Sequence, residues 1–401
     1  MKTDNDHIEH LEDGVFTEGE KGIERAFNYL EDVKHILTGF TTDTNITTKW
    51  DGSPAIFVGI DPTDNKYFVA KKSVFNVNPV MYKCIDDIAF DDKLCDELKE
   101  VLELCFVNFQ SFGITHGIYQ GDLLFTLKHL HLEAIHNVSY LTFQPNTIVY
   151  AYEIDSDLSS TADIGVVWHT QYHGDSLHKM VAEYRTPITP FFKKDESVYM
   201  FDASWGKNIK TACTVSDIIR MSQAIGDVTV ISRDFFKSIT LNENIAHPIP
   251  NNKELMNLVK IYINKRIREG IDNFTTYGFL EFIDVRYSAE ILKRKSKKGK
   301  HTQLEKKEEL LAIVLRYLHD FSLAFQLHNA ITFAKEVQID LLDISDNHPK
   351  MFLKTKDGYI STTPEGYVLS DNNEHQAPCK MINRRKFSHA NFSGDYIKGW
   401  S

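Results

Sequence analysis

Apolar positions near the start of the chain recur at mixed spacings of three and four: Ile8, Leu11, Phe16, Ile23, Ala26, Phe27, Leu30, Val33 and Ile36. That period predicts helix over residues 5–38, broken near Gly14. From 46 to 75 the pattern becomes strand-like. "AIFVGI" and "KYFVAKKSVF" flank Asp61-Pro62-Thr63-Asp64-Asn65, whose turn chemistry predicts a hairpin. Residues 84–109 read as helix. "GIYQGDLLF" (117–125), "TIVYAYEI" (147–154) and "ADIGVVWHTQY" (162–172) read as strands, the second so continuously apolar that it should be buried. After about Pro190 helical periods dominate, at 214–225, at 253–268 and in a long amphipathic run from 304 to 342. Strand and turn patterns return near 350 in "MFLKTKDGYIST", "EGYVLS" and "CKMIN". There is no internal repeat. The expected fold is α+β, a core of antiparallel sheets with helices, interrupted by a large helical insert. Its expected parts are an N-terminal helical segment (1–45), a first core part (46–190), the insert (191–345) and the final core strands (346–401).

The 401 residues suffice for two or three domains, and 42% hydrophobic with 25% charged residues is ordinary for a globular protein. No apolar run approaches the roughly 20 residues of a membrane helix. The acidic start "MKTDNDHIEHLEDG" lacks the apolar core of a signal peptide, so a cytoplasmic protein without a membrane partner is expected. Five scattered cysteines without a C-x-x-C pair read as reduced, buried thiols. Neither an H-E-x-x-H zinc pattern nor a Walker-type glycine loop is present. A net charge of −11 argues against broad non-specific nucleic-acid binding. The charge is uneven, however: "KRKSKKGK" (293–300) and "KMINRRKF" (380–387) are strongly basic.

The stretch "NITTKWDGSPAIFVG" (45–59) sets Lys49 and Asp51 two residues apart, ahead of Gly52 and between strand-like segments. It is either a charged turn or the seat of a covalent nucleophile. Further chemistry follows in order. Asp122 sits on a strand after a glycine. Tyr150 and Tyr152 share one strand face. Glu365-Gly366 opens an apolar strand, and Lys380 lies fifteen positions later. Each element has a plain structural alternative: an Asx turn, a surface strand end, core tyrosines, a protective edge charge.

The ordered set resembles the covalent nucleotidyltransferases, that is the ATP-dependent DNA and RNA ligases and the GTP-using mRNA capping enzymes. Their pattern is K-x-D-G, a basic residue on the next hairpin, a G-(D/E)-L strand, an aromatic strand, E-G-x-V and a lysine-bearing strand. The resemblance covers residues 46–155 and 358–387, and is best in K-W-D-G and E-G-Y-V-L. The whole chain is also similar to a group of phage-encoded proteins with a "HLEHLED"-type start and a KWDG(S/A)PA motif.

The resemblance implies that Lys49 attacks the α-phosphate of ATP and forms a lysyl-AMP. A lysine of pKa ~10.4 is a poor nucleophile unless cations, a metal or desolvation lower that value. Lys380 and Mg²⁺ or Mn²⁺ would supply this. Glu365 and Asp122 offer hard oxygen ligands, and Asp51 helps to position the lysine. Tyr150 or Tyr152 would stack on a purine, and Gly52 and Gly366 would allow close backbone approach. Lys71 and Lys72 should point to opposite faces of the hairpin, with Lys72 preferred as the nucleotide contact. Arg384 and Arg385 would hold the β- and γ-phosphates or a nucleic-acid end.

The expected reaction passes AMP to a 5′-phosphate end, RNA ahead of DNA. Lys293, Arg294, Lys295, Lys297, Lys298 and Lys300 form either a solvated face or a mobile, glycine-broken loop that touches nucleic-acid phosphates. Three departures qualify the family pattern. The last strand lacks the usual K-x-K. More than 200 residues separate the aromatic strand from Glu365. The chain ends soon after the final motif, leaving no room for a C-terminal OB domain and favouring the RNA-ligase type. The alternatives are a capping-type or protein-modifying nucleotidyltransferase, or an inactive fold serving as a binding or virion protein. Oligomeric state stays open.

Overall fold

The computed structural model describes residues 8–154, 162–184, 187–205, 213–241, 252–345, 349–372, 376–387 and 394–400. In chain order its strands begin with β1 (Glu9–His10), β2 (Thr44–Lys49), β3 (Ala55–Ile60), β4 (Tyr67–Ala70) and β5 (Ile118–Thr126). Next come β6 (His131–Ile135), β7 (Val138–Phe143), β8 (Ile148–Glu153), β9 (Ile164–His173), β10 (Val181–Glu183) and β11 (Val198–Asp202). The last are β12 (Lys350–Thr355), β13 (Gly358–Thr362), β14 (Gly366–Asp371) and β15 (Cys379–Ile382). The helices are α1 (Gly14–Thr17), α2 (Glu20–Leu37), α3 (Ile85–Ala89), α4 (Asp96–Phe109), α5 (Val215–Leu241), α6 (Lys253–Arg268), α7 (Thr276–Lys293), α8 (Lys297–Arg316) and α9 (Leu318–Ser345).

The strands form three mainly antiparallel sheets, ordered β1-β15-β14-β2, β10-β9-β5-β3-β4 and β13-β12-β8-β7-β6. The α+β expectation holds. Two pairings are parallel: β1 with β15, and β11 with β9. The predicted hairpin is β3–β4, where Asn65 takes the left-handed φ of 57° and Asp61 Oδ1 accepts from Thr63 N at 2.8 Å.

Alternation along the first sheet assigns its two faces. Ile46, Tyr367, Leu369, Cys379 and Met381 turn to one side and join Leu30, Val33, Val228, Ala324 and Val337 in one helix-covered core. Lys49, Thr47, Val368 and Lys380 turn to the other side, into a cleft. Tyr367 Oη also donates to Asp343 Oδ1 at 2.7 Å, and Gln338 Nε2 to Leu30 O at 2.6 Å. Stripping the helices away would expose several large side chains, each worth roughly 1.5–3 kcal/mol when buried.

Several expectations change accordingly. The helical region expected as an insert is the back layer of the first sheet and shares its core with α2. Its start also lies later than Pro190. β11 still pairs with β9, Thr48 N donates to Ala203 O at 2.7 Å, and Trp205 N donates to Ile46 O at 3.0 Å. At the N-terminus, Glu9–His10 pairs with β15, and regular helix begins at Gly14; residues 5–7 of the predicted helix lie outside the described residues. The run 304–342 breaks at Tyr317 into α8 and α9, bent by 78°. "KRKSKKGK" is no glycine-broken loop. Ser296 caps α8 by accepting from Gly299 N at 3.0 Å, so Lys297, Lys298 and Lys300 lie in the opening turns of a helix and Lys293 ends the previous one. Cys105 and Cys379 are buried free thiols as expected, but Cys84 and Cys95 are exposed. Among the described residues no single helix is long and apolar enough to cross a membrane.

Candidate active site

The cleft between the first and second sheets is a cavity of about 1270 Å³. Small-molecule pockets usually run to roughly 300–1,000 Å³, so this cleft is larger than most. The first sheet contributes Thr47, Lys49, Val368 and Lys380. The second contributes Phe57, Gln120, Asp122, Val167, His169, Thr170 and Tyr172. Strict alternation would put His169 and Thr170 on opposite faces. The β5–β9 register slips between Gln120 and Gly121, where Gln120 faces Thr170 but Gly121 faces Trp168. His169 is the extra residue of this bulge, which turns both His169 and Thr170 to the cleft.

Lys49 lies opposite Gly366 across the β2–β14 ladder, and Glu365 precedes that glycine. Lys49 Nζ donates to Glu365 Oε2 in a short ion pair, with side chains 26% and 15% exposed. Burial works against a charged Lys49, but Glu365, helped by Asp122 and Asp51, outweighs it and holds the amine above its ordinary value. Lys380 is shifted the other way. Burial lowers its amine, the Lys49 and Lys72 charges add to the effect, and Glu365 opposes it. Asp122 Oδ2 lies 3.5 Å from His169 Nε2. Lys49, Asp122, Glu365 and Lys380, far apart in the chain, thus meet at one cleft, and Lys72 lines it too.

Other predicted contacts fall elsewhere. Tyr150 and Tyr152 do share a face, but it packs against Phe143 and Phe201 in the core, and neither ring lines the cleft. They are no purine platform. Tyr150 Oη instead accepts from Asp51 N at 2.7 Å. The Asp51 carboxylate tethers the start of β8, accepting from Asn146 Nδ2 (2.9 Å), Thr147 N (2.7 Å) and Ile148 N (3.0 Å). Burial pushes its carboxyl up to about 6, with the Glu365 charge adding, while the Ile148 and Thr147 N–H groups pull it down.

The glycines also serve packing. A Cβ on Gly52 would lie 2.6 Å from Asp122 Cβ; one on Gly366, at φ +153°, would lie 2.3 Å from Met381 O. Both allow close approach of chain to chain. Lys71 and Lys72 are not on a strand at all. β4 ends at Ala70, and Lys72 opens a 3₁₀ turn, Lys72–Phe75.

Arg384 and Arg385 do not reach the cleft. Arg384 is largely buried beneath the first sheet, bonded to Asp13 Oδ1 (2.9 Å), Glu12 Oε1 (3.3 Å) and Asn264 Oδ1 (2.8 Å), and Arg385 pairs with Asp272. Lys335 Nζ bonds Glu12 Oε2 at 2.8 Å, with both side chains 1% exposed. Glu12, Asp13 and His328 are close enough to ligate one ion. Their two carboxylates are already matched by Lys335 and Arg384, so the cluster reads as a structural ion network. Burial works against the charged acids, but the neighbouring cations hold both below the usual carboxylate range. None of Lys293, Arg294, Lys295, Lys297, Lys298 or Lys300 lines the cleft.

Sequence reading missed His169, Gln120, Thr170, Tyr172, Phe57 and Phe75 as cleft residues. His169 and His173 are four apart, a ligand spacing on a helix, but on β9 they stand about 13 Å apart. The available signal was the polar run "HTQYH" on an otherwise apolar strand.

The fold and cleft define an α+β protein with a lysine- and carboxylate-lined crevice between two sheets. The chain belongs to a family of unknown function, DUF6267, which it matches over residues 5–395. No curated protein and no solved structure matches it.

Proposed function

We propose that this protein is a covalent nucleotidyltransferase, an ATP-dependent polynucleotide ligase acting on RNA ends ahead of DNA ends, with Lys49 as the nucleophile. The observation that carries the reading is the Lys49–Glu365 ion pair beside Lys380 and Asp122 in one cleft. An amine, two carboxylates and two further lysines are the groups that phosphoryl chemistry uses.

Glu365 touches the Lys49 ammonium and is placed to take its proton. The neutral amine then attacks the α-phosphorus: an N–P bond forms, the bond to the β-phosphate breaks, and pyrophosphate leaves with its electron pair. Lys380 and Lys72 supply positive charge to the phosphate oxygens. In the second step a 5′-phosphate oxygen displaces the lysine and receives the AMP. The carboxylates of Glu365 and Asp122 suit Mg²⁺ or Mn²⁺, which would neutralise phosphate charge there. The surrounding lysines favour entry of that cation together with the triphosphate.

The test is incubation with α-labelled ATP or GTP, followed by a denaturing gel. Label should stay on the wild-type chain, acid-labile and base-stable, and vanish in Lys49→Ala. Undiminished labelling of that variant would overturn the assignment.

A further inference from the structure

With Tyr150 and Tyr152 buried in the core, the purine needs another surface. The 3₁₀ turn Lys72–Phe75 offers one. Side chains three apart eclipse in this helix type, so Lys72 and Phe75 share a side, and both line the cleft. Phe75 meets the Tyr172 ring at 4.7 Å between centroids and the Phe57 ring edge-on at 5.6 Å. Phe57 and Tyr172 are 1% and 6% exposed, whereas Phe75 is only half-buried and keeps surface for a ligand. Beside this group Tyr172 Oη donates to Gln120 Oε1 at 2.6 Å. That bond commits the amide oxygen of Gln120 and presents its NH₂ as a donor for the cleft.

We infer that Phe75, backed by Phe57 and Tyr172, is the base platform of a purine-nucleotide subsite, with Gln120 donating to a ring nitrogen and Lys72 holding the phosphates from the same turn. The inference rests on the proposed nucleotide reading of the cleft. It departs from the expectation drawn from resemblance, because the base sits on the 3₁₀ turn after β4 and on the second sheet instead of on the aromatic strand β8. The physical basis is general: a flat apolar ring on a half-desolvated wall binds a base face, and a fixed amide donor orients its edge.

The test compares equilibrium binding of ATP and of inorganic tripolyphosphate by calorimetry, in the wild type, Phe75→Ala and Phe75→Leu. The leucine variant keeps apolar volume without a flat face, and thermal melts of both variants establish folding. ATP should bind the wild type about tenfold or more tighter than tripolyphosphate. Both variants should lose most of that advantage while their tripolyphosphate affinity stays within about twofold. An ATP advantage that survives in folded Phe75→Leu, or none in the wild type, would overturn the subsite. Gel labelling of the same proteins separates the two ideas. Lys49 labelling with an intact advantage in Phe75→Leu sinks the subsite alone. A Phe75-dependent advantage without any labelling keeps the subsite and sinks nucleotidyl transfer.

Discussion

Lys49 and Glu365 are 316 positions apart, yet their side chains form one ion pair across the join between β2 and β14. In this state the pair keeps the amine protonated. A nucleophilic Lys49 must therefore give up a proton that Glu365 now stabilises.

Replacing Glu365 by Gln should expose that dependence. The folded-state value of Lys49 is raised. The pair's contribution to stability is therefore full below the ordinary ~10.4 and is lost as pH rises through the folded value. In Glu365→Gln the pH profile of self-labelling should move to lower pH, and the rate at neutral pH should fall about 10²-fold or more with loss of the proton acceptor. Initial labelling rates across pH, with a metal titration at each point, measure both. An unmoved profile would place the proton acceptor elsewhere.

Lys380 is the amine with the lowered value, which raises the question of which lysine carries the label. Lys380→Ala should slow labelling by about 10²–10³-fold through lost charge stabilisation, while label still accumulates on Lys49 after long incubation. Peptide mapping of the labelled chain decides. A labelled peptide bearing Lys380 in the wild type would exchange the roles of the two residues.

Arg384 should matter for folding and not for phosphate binding. Removing it leaves Glu12 and Asp13 with one fewer buried cation, so Arg384→Ala should cost about 3–5 kcal/mol in urea unfolding. The depressed values of both acids add a pH signature. Their contribution is present above the unfolded value of ~4 and is lost as pH falls through the folded values. Unchanged stability in the variant would show that the ion network contributes little.

Neutralising Lys293, Arg294, Lys295, Lys297, Lys298 and Lys300 should leave self-labelling within about twofold, because these residues lie outside the cleft lining. AMP transfer to a labelled RNA end should weaken and lose part of its salt dependence. The same change should slightly raise helix stability, since cations at the start of α8 oppose its dipole by about 0.3–1 kcal/mol each. Loss of self-labelling would instead place this stretch over the nucleotide.

Local pattern carried much of the fold. The period-two alternation in β2, β14 and β15 placed Lys49 and Lys380 opposite the apolar residues Ile46, Tyr367 and Met381, and each strand needs only its own sequence to show this. The start of the helix at Val215, read only as far as 225 where the structure continues to Leu241, the helix at 253–268 and the β3–β4 hairpin were legible for the same reason: period and turn chemistry act over a few residues.

What tertiary structure decided is everything set by pairing across distance. That β8 lies outside the cleft depends on the third sheet: β12 returns from residue 350 to pair with β8, and Tyr150 and Tyr152 pack into the core. The bulge that lets His169 and Thr170 both face the cleft exists only in the register between β5 and β9. Arg384 looked like a phosphate contact because a guanidinium in sequence carries no record of its partner. Its acids arrive from residues 12 and 13, over 370 positions away, and in a buried layer an unpaired charge is far costlier than one turned toward them.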